Sequence, residues 1–492
     1  MSDSDSNDFS SQDNTDNPLL PEPETTACLK IPYSNDVSFA PIASLTPVEE
    51  TARYRMRQAA NRKTADGGKG RTVTPGVSSA LAVDLEYANR NNINNDDILY
   101  APFPIKSMAP TSFLEQLAQM TLHAHVLQRA EDTEDMLEQT AFTAAFVIAL
   151  VRDLQKNATV HAFMPVLGET FELSGNKVHP WRFFAEQVEA DVTAISLKSP
   201  GFHFQQNLRL QSKFEHRRKL FTVFPTGAGY IVFDKTENEV SWSFDGLKIT
   251  CTKPKDSSEK RGAAVDGSFV VRNKRGDNGL LVFQESDATA RTPFHAMVYN
   301  RERSRFIGLN GDFNVSINGV FQPPKLRPGP VRSPIREPFV AMLVPLKKLK
   351  PDARLKYSRE EILRLPPTDS RFRADVKYLR RALEAETDDE ANLLFAKAQR
   401  KHEKYLRHEY SRRVACTAQG PYQDCDNGNG NVMPSAHTTP LEDPLWFERF
   451  VEGGHIRYRY NEEEGADYWA AREDRDFSRC PDPFAAFVKK KY

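Results

Sequence analysis

The chain lacks an excess of either charge: 66 Lys and Arg stand against 67 Asp and Glu in 492 residues. No whole-chain field therefore draws it to nucleic acid. Cysteine is scarce. The five present, Cys28, Cys251, Cys416, Cys425 and Cys480, are odd in number and widely spread, which argues against a disulfide framework and for a reducing compartment. No CxxC and no histidine pair at zinc spacing accompanies them, so they read as free thiols and no metal site is expected. Long apolar runs are missing too. The longest, Ala141 to Val151, is interrupted by Thr143 and falls short of the ~20 residues of a membrane span. The N-terminus carries Asp3, Asp5, Asp8 and Asp13 with no nearby base and no apolar core, unlike a secretory signal. These absences point to a cytoplasmic protein that can still visit membrane surfaces as a peripheral one.

What is present divides the chain. Residues 1–97 are rich in Ser, Asp, Asn, Pro and Thr, a composition that buries too little apolar surface to offset ordering entropy. Most of this region is expected to be disordered, with short helices at Pro47–Arg62 and Ser78–Asn89. Order is expected from Ile98. Ser112-Phe113-Leu114-Glu115 has capping-box spacing and leads into a helical stripe of Phe113, Leu117, Met120 and Leu127. A second helix, about Glu134 to Leu154, is apolar nearly all round, as a helix buried in a core would be.

From Thr159 to about Val344 the period changes. Short alternating runs recur at Asn207–Phe214, Leu220–Phe224, Tyr230–Asp234, Val240–Phe244, Gly279–Gln284, Phe294–Tyr299 and Arg305–Val315. The turn pairs Asp245-Gly246, Asn278-Gly279 and Asn310-Gly311 lie among them. Such a pattern means an antiparallel sheet curled into a barrel or sandwich. After Pro366 helix returns, with Ala391–Arg413 long and basic. A Gly/Asn/Pro-rich loop is expected at 417–443, and aromatic anchors reappear at Trp446, Phe447, Tyr468, Trp469 and Phe484.

Five ordered segments carry a resemblance. Phe184-Ala185-Glu186-Gln187-Val188 resembles the start of a fingerprint in which Glu-Gln-Val precedes Ser-His-His-Pro-Pro. Phe163-Met164-Pro165-Val166-Leu167-Gly168-Glu169-Thr170-Phe171-Glu172 is similar to an Asn-Pro-Leu-Leu-Gly-Glu-Thr-Tyr-Glu element. Leu365-Pro366-Pro367-Thr368-Asp369-Ser370-Arg371 resembles a run of the same residues, with Ala374 where a proline is usual. Tyr468-Trp469 and Cys480-Pro481-Asp482-Pro483-Phe484 match closing elements, and Ser112-Phe113-Leu114 with Ala144-Ala145-Phe146 matches two opening helices. On these motifs residues 98–492 resemble the lipid-binding domain of the oxysterol-binding-protein-related family.

The resemblance implies an α+β fold: an incomplete antiparallel β-barrel around a central apolar tunnel for one lipid, plugged by N-terminal helices and closed by an N-terminal lid. It implies the barrel and its opening helices at 98–376, C-terminal helices at 377–416, and a segment packing on the barrel at 444–492. Members of the family extract sterols or phospholipids from one membrane and release them at another, and many exchange them for phosphatidylinositol 4-phosphate. No cofactor and no bond breaking is implied. Gly168, Glu169, Glu186 and Gln187 match the family and read as structural: a turn for Gly168, buried donors satisfied by Glu169 and Glu186.

The head-group site departs from the family. Its histidine pair corresponds to Ala190 and Asp191, its first lysine and asparagine to His161 and Met164, and its helical lysine, glutamate and arginine to Asn392, Ala396 and Arg400. Arg400 remains, His161 substitutes when protonated, and Lys198 is a nearby cation that the site can recruit. A carboxylate where a histidine met a phosphate costs on the order of 4 kcal/mol at ~4 Å and effective dielectric ~20, about a thousandfold in affinity. A weakened phosphoinositide site follows.

Other motifs are bland. His123 and His125 point to different helix faces, His402 and His408 lack HExxH spacing, and Gly227-Ala228-Gly229 is an isolated GxG. The basic run Lys397, Arg400, Lys401, Lys404, Arg407, Arg412 and Arg413 reads as a solvated face or a membrane-docking one. The leading expectation is sterol-like lipid binding and transfer. The alternative is a lipid-responsive scaffold that no longer transports, and tunnel volume separates the two. Lipid hydrolysis is a distant third, because no nucleophile or metal set accompanies the carboxylates.

Overall fold

The computed structural model describes residues 99, 103–158, 161–175, 180–215, 220–251, 263–284, 292–321, 339–345, 359–418, 444–452, 455–463 and 466–484. The helices expected within 47–89 and the lid lie outside them, as does the 417–443 loop except for its first two residues. All described elements belong to the unit Pro75–Tyr492.

Ser112 begins the helical region as its capping-box spacing predicts: its Oγ accepts from the Glu115 N–H at 3.1 Å, opening α1 (Phe113–Leu117). The continuous stripe expected beyond it is broken. Ala118–His123 tightens to a 3-10 turn before α2 (Ala124–Asp132), so Phe113 and Leu127 sit on different helices. α3 (Met136–Ala158) is the long apolar helix. It is buried on every face from Gln139 to Val151, because a curved sheet wraps it.

That sheet has 14 strands. In chain order they are β3 (Thr170–Ser174), β4 (Arg182–Gln187), β5 (Val192–Ser199), β6 (Phe202–Glu215), β7 (Leu220–Thr226), β8 (Ala228–Phe233), β9 (Asn238–Ser243), β10 (Lys248–Cys251), β11 (Ala263–Asn273), β12 (Asn278–Phe283), β13 (Pro293–Tyr299), β14 (Phe306–Asp312), β15 (Ser316–Phe321) and β16 (Phe339–Pro345). Neighbours are antiparallel, and the β8–β9 hairpin branches off between β6 and β11. β3 and β16 are the two ends of the path and do not pair with each other. The barrel is therefore incomplete, and α3 packs against β9 through β16 to fill it. A short parallel pair, β1 (Met108–Ser112) with β2 (His161–Phe163), brackets the opening helices.

Alternation explains the inward set. In β8 and β12 every second residue is buried, Ile231 and Phe233 in one, Leu281 and Phe283 in the other. β4 and β5 are buried almost throughout, because a second layer covers their outer face. That layer is the hairpin β17 (Phe447–Glu452) with β18 (His455–Tyr460), followed by α7 (Tyr468–Asp474). Phe184, Val188, Val192 and Ala194 pack there against Trp446, Phe447, Tyr458, Tyr460 and Tyr468. α4 (Arg359–Ile362), α5 (Ala374–Leu383) and α6 (Asp388–Ala418) complete the unit.

Two of the three expected turns are strand instead. Asp245-Gly246 is a turn, with Gly246 at φ +98°. Gly279 lies in β12 opposite Val298, and Gly311 in β14 opposite Phe294. A Cβ at Gly311 would meet the Ser316 carbonyl at 2.1 Å, so this glycine permits close backbone approach rather than a reversal.

Candidate functional site

Inside the sheet the walls nearly meet. A cavity of about 50 Å³ is enclosed by Leu99, α1, the C-terminal end of α3, β2 and the inner faces of β6, β7 and β10. Ten of its thirteen lining residues are apolar; the polar ones are Gln116, Asn157 and His161. A second cavity of about 30 Å³, here the inner one, reaches β5 and shares Gln116, Leu154 and Asn157 with the first, the outer one. Among the described residues neither wall contains Lys or Arg. Aromatic rings pack beside them: Phe204 stacks on Trp242 at 5.5 Å and meets Phe146 edge-on at 5.5 Å. Pockets that hold small molecules span roughly 300–1,000 Å³, so both cavities are small for a ligand.

One polar pair borders the inner cavity. Asp153 accepts from Arg152 at 2.7 Å and lies 2.9 Å from His123 Nε2. Burial would raise the Asp153 pKa, but His123 and Arg152 outweigh it and hold the group ionised. His125, two residues on, instead faces the Leu122 carbonyl at 3.2 Å.

The segments that carry the family resemblance converge on β3 and β4. Gly168 turns with φ +77° and its N–H donates to the Gln187 carbonyl. Gln187 Oε1 accepts from Thr193 Oγ1 and its amide donates to the Glu189 carbonyl. Glu169 accepts from Ser370 Oγ at 2.7 Å, the Val166 N–H at 3.0 Å and Arg373 Nη1 at 2.9 Å. The Thr368–Arg371 run lies along edge strand β3: Thr170 N–H donates to the Thr368 carbonyl, and Arg371 caps the Glu172 carbonyl and covers the Phe171 ring at 4.1 Å. Ala374, where the family has proline, donates its N–H to Tyr405 Oη at 3.4 Å, a bond proline cannot make. Glu186 accepts from the Leu445 and Trp446 N–H groups and so anchors the C-terminal hairpin.

Electrostatics follow burial. Desolvation pushes Glu169 up to about 7 against the pull of Arg373, and Glu186 up to about 7 against its two backbone donors. Desolvation likewise takes Asp369 to about 6. Asp375 moves the other way. Burial opposes its ionisation, but Arg373 at 2.9 Å and His402 at 3.4 Å hold it below the carboxylate range. These carboxylates are framework: Glu169 and Glu186 are held by donors from distant segments, Asp369 and Asp375 chiefly by arginines two residues away.

The head-group positions have separate neighbours. His161 stacks on Phe103 with ring centroids 4.4 Å apart and lines the outer cavity. Arg400 is exposed on α6, with Nε donating to the Ala396 carbonyl. Lys198 pairs with Glu462 at 2.9 Å. Its register partner is Arg182, at the open end of the β4–β5 hairpin, six residues or ~20 Å along the strand from Val192. Lys198 is therefore not gathered with the fingerprint turn.

That turn holds the main departure. Val188 and Val192 close it, the Val188 N–H donating to the Val192 carbonyl at 3.0 Å. Only Glu189, Ala190 and Asp191 fit between them, fewer than the family's Ser-His-His-Pro-Pro. Both carboxylates are engaged: Arg209 reaches Glu189 at 3.0 Å and Asp191 at 3.2 Å, and Tyr458 Oη donates to Glu189 at 2.5 Å. A second cation escaped the sequence reading. Lys106 Nζ donates to Asn392 Oδ1 at 3.2 Å and sits over the Phe395 ring at 4.9 Å. Its ammonium thus stands beside Asn392, the α6 residue that the motif resemblance sets against a family lysine. Neither Arg209 nor Lys106 had a local signal, since each lies far in sequence from the residue it meets.

Comparison with known proteins agrees with this fold. The family model described as oxysterol-binding protein matches residues 87–473. Oxysterol-binding protein-related protein 6 of Homo sapiens is 26% identical over 408 residues, covering 80% of this chain and 38% of that one. Oxysterol-binding protein 2 of Mus musculus is 26% identical over 411 residues, covering 78% and 41%. The chain thus spans about two fifths of the length of these relatives. The crystal structure of the Osh3 ORD in complex with PI(4)P from Saccharomyces cerevisiae superposes with TM-score 0.57 at 19% identity, covering 85% of this chain and 98% of that one. The Osh1 ORD domain in complex with ergosterol gives 0.58 at 20% identity, covering 87% and 97%. Likeness at these identities is one of fold. By the family match over most of its length, this chain belongs to the oxysterol-binding protein family.

Proposed function

We propose that the chain binds one sterol-like lipid in the concavity of its sheet and transfers it between membranes, with a weakened site for phosphatidylinositol 4-phosphate. The supporting observation is the outer cavity: apolar walls, three polar groups (Gln116, Asn157, His161) and, among the described residues, no Lys or Arg. Such a lining suits a lipid whose polar end is a hydroxyl. Apolar burial drives uptake at ~25 cal/mol per Å², and no step of the cycle breaks a covalent bond. The fingerprint turn offers two carboxylates that share one arginine and keep a net negative charge, which leaves Lys106 and Arg400 to meet a phosphate.

On α6, Arg400, Lys404 and Arg407 are exposed at i, i+4 and i+7 spacing. Each contributes about 1 kcal/mol toward an anionic membrane surface, which fits a peripheral, cytoplasmic protein. Among the described residues no helix is long and apolar enough to cross a membrane.

The cavity volumes favour a second reading. At about 50 and 30 Å³ they leave no room for a sterol until side chains or the wall at Leu99 move, as a scaffold that no longer transports would have it. Transfer of fluorescent sterol between liposomes decides. Transfer above the spontaneous rate supports the first reading; no binding at saturating sterol supports the scaffold. Tight extraction of phosphatidylinositol 4-phosphate would overturn the weakened-site claim.

A further inference from the structure

A wide recess lies on the described surface apart from the lipid cavity. It measures about 520 Å³ and lies where the ends of β3 and β4 meet the segment after α4 and the end of α7. Four arginines line it, Arg182, Arg364, Arg472 and Arg475, together with the indoles of Trp181 and Trp469. It sits at the far end of β4 from the fingerprint turn, Arg182 being the first residue of that strand and Gln187 the last.

The charges sort into committed and available. Glu172 is buried, its Oε2 accepting from Arg472 Nε at 2.9 Å and Tyr468 Oη at 2.5 Å. Arg182 lies 5.2 Å over the Trp469 ring and pairs with Glu473 at 2.8 Å, both side chains about half exposed or more. Such a rim pair is weak and exchanges readily. Glu361 also lies on the wall. Arg364 and Arg475 are exposed, and neither guanidinium has a hydrogen-bond or ion-pair partner among the described residues. Arg475 is also one of three non-glycine residues with positive φ among the described residues, at +60°. That conformation suits glycine at a helix end, yet here it presents an arginine to the recess.

Guanidinium forks match phosphate oxygens two by two, and an indole face supplies an apolar wall for a ring. The volume falls in the range of small-molecule pockets rather than extended peptide grooves. From this arrangement we propose a second binding site, separate from the lipid cavity, for a small phosphorylated molecule, free or as the head group of a membrane lipid.

The test uses the full chain with inositol trisphosphate as the soluble probe, followed by titration calorimetry and by Trp fluorescence. The variant is Arg364→Ala with Arg475→Gly; glycine accepts the left-handed backbone, so folding is preserved. The expected result is binding by wild type that weakens about tenfold or more in the variant, with sterol binding unchanged. Flotation with phosphatidylcholine vesicles, with and without phosphatidylinositol 4-phosphate, identifies the source. Variant-sensitive vesicle binding stronger than that of the free probe assigns a lipid head group; the reverse assigns a soluble ligand. Equal affinity in wild type and variant, or no binding of either probe by wild type, overturns the proposal. So does variant-sensitive binding of a polyglutamate peptide without binding of the phosphates, which would assign the recess to an acidic protein partner. Sterol transfer is scored separately, so failure here leaves the lipid-transfer reading untouched.

Discussion

Neutralising the fingerprint turn, by Glu189→Gln with Asp191→Asn, is predicted to strengthen binding of phosphatidylinositol 4-phosphate. In the wild type Arg209 is shared between the two carboxylates at 3.0 and 3.2 Å, so the three groups sum to one negative charge. The double variant leaves Arg209 uncompensated and turns that sum positive. Two unit charges ~4 Å apart interact with ~4 kcal/mol at an effective dielectric of ~20 but only ~1 kcal/mol in bulk water. Arg209 and Asp191 are 41% and 36% exposed at the side chain, Glu189 18%, which places the turn nearer the aqueous limit. About 1 kcal/mol per removed carboxylate gives ~2 kcal/mol, or roughly thirtyfold in affinity. The fold should tolerate the change, because an exposed pair contributes only about 0–1 kcal/mol. The assay is extraction of the phosphoinositide from liposomes, with sterol uptake as the internal control. Unchanged extraction by the double variant would refute the electrostatic reasoning, as would wild-type extraction as tight as that of sterol.

Three further outcomes are expected. Arg373→Met removes the cation between Glu169 and Asp375, all three being buried, and should cost about 3–5 kcal/mol in urea unfolding; a loss below ~1 kcal/mol would show that the triad is dispensable. Glu186 and Glu169 have folded-state values of about 7, raised by burial from an ordinary 4.5. The folded chain therefore keeps protons that the unfolded chain releases, so their contribution makes stability fall as pH rises from about 4.5 through 7. Urea midpoints across that window should decline less steeply in Glu186→Gln; an identical slope would contradict the assignment. Phe221→Ala opens the outer cavity, where the ring lies 6.2 Å from His161. It should lower stability by about 3–5 kcal/mol, and saturating sterol should raise its Tm more than that of wild type; equal Tm shifts would argue that this cavity is not the ligand's.

The sheet and the long helix were legible because their signals are periodic. Alternation at Tyr230–Asp234 and Gly279–Gln284 marks strands β8 and β12, and the all-apolar run at 141–151 marks the helix they wrap. Glycine was misread where its reason was steric: Gly279 and Gly311 look like turn residues but serve close strand approach. The covering hairpin β17–β18 showed only as scattered aromatics, since its partners on β4 and β5 are about 260 residues away.

The candidate site was less legible for the same reason. Arg209 stands 20 residues from Glu189 and Tyr458 stands 269 away. Lys106 meets Asn392 across 286 positions, so no local pattern announces any of them. Lys198 had a usable signal: a hairpin turning at 188–191 must set residue 198 against residue 182, far from the turn.

Mass spectrometry of lipids co-purifying with the intact chain tests the central claim most directly. The expected result is one neutral, hydroxyl-bearing sterol-like lipid per chain and no stoichiometric phosphoinositide. Stoichiometric phosphatidylinositol 4-phosphate, or a chain that carries no lipid and takes up none when sterol is supplied, would contradict it.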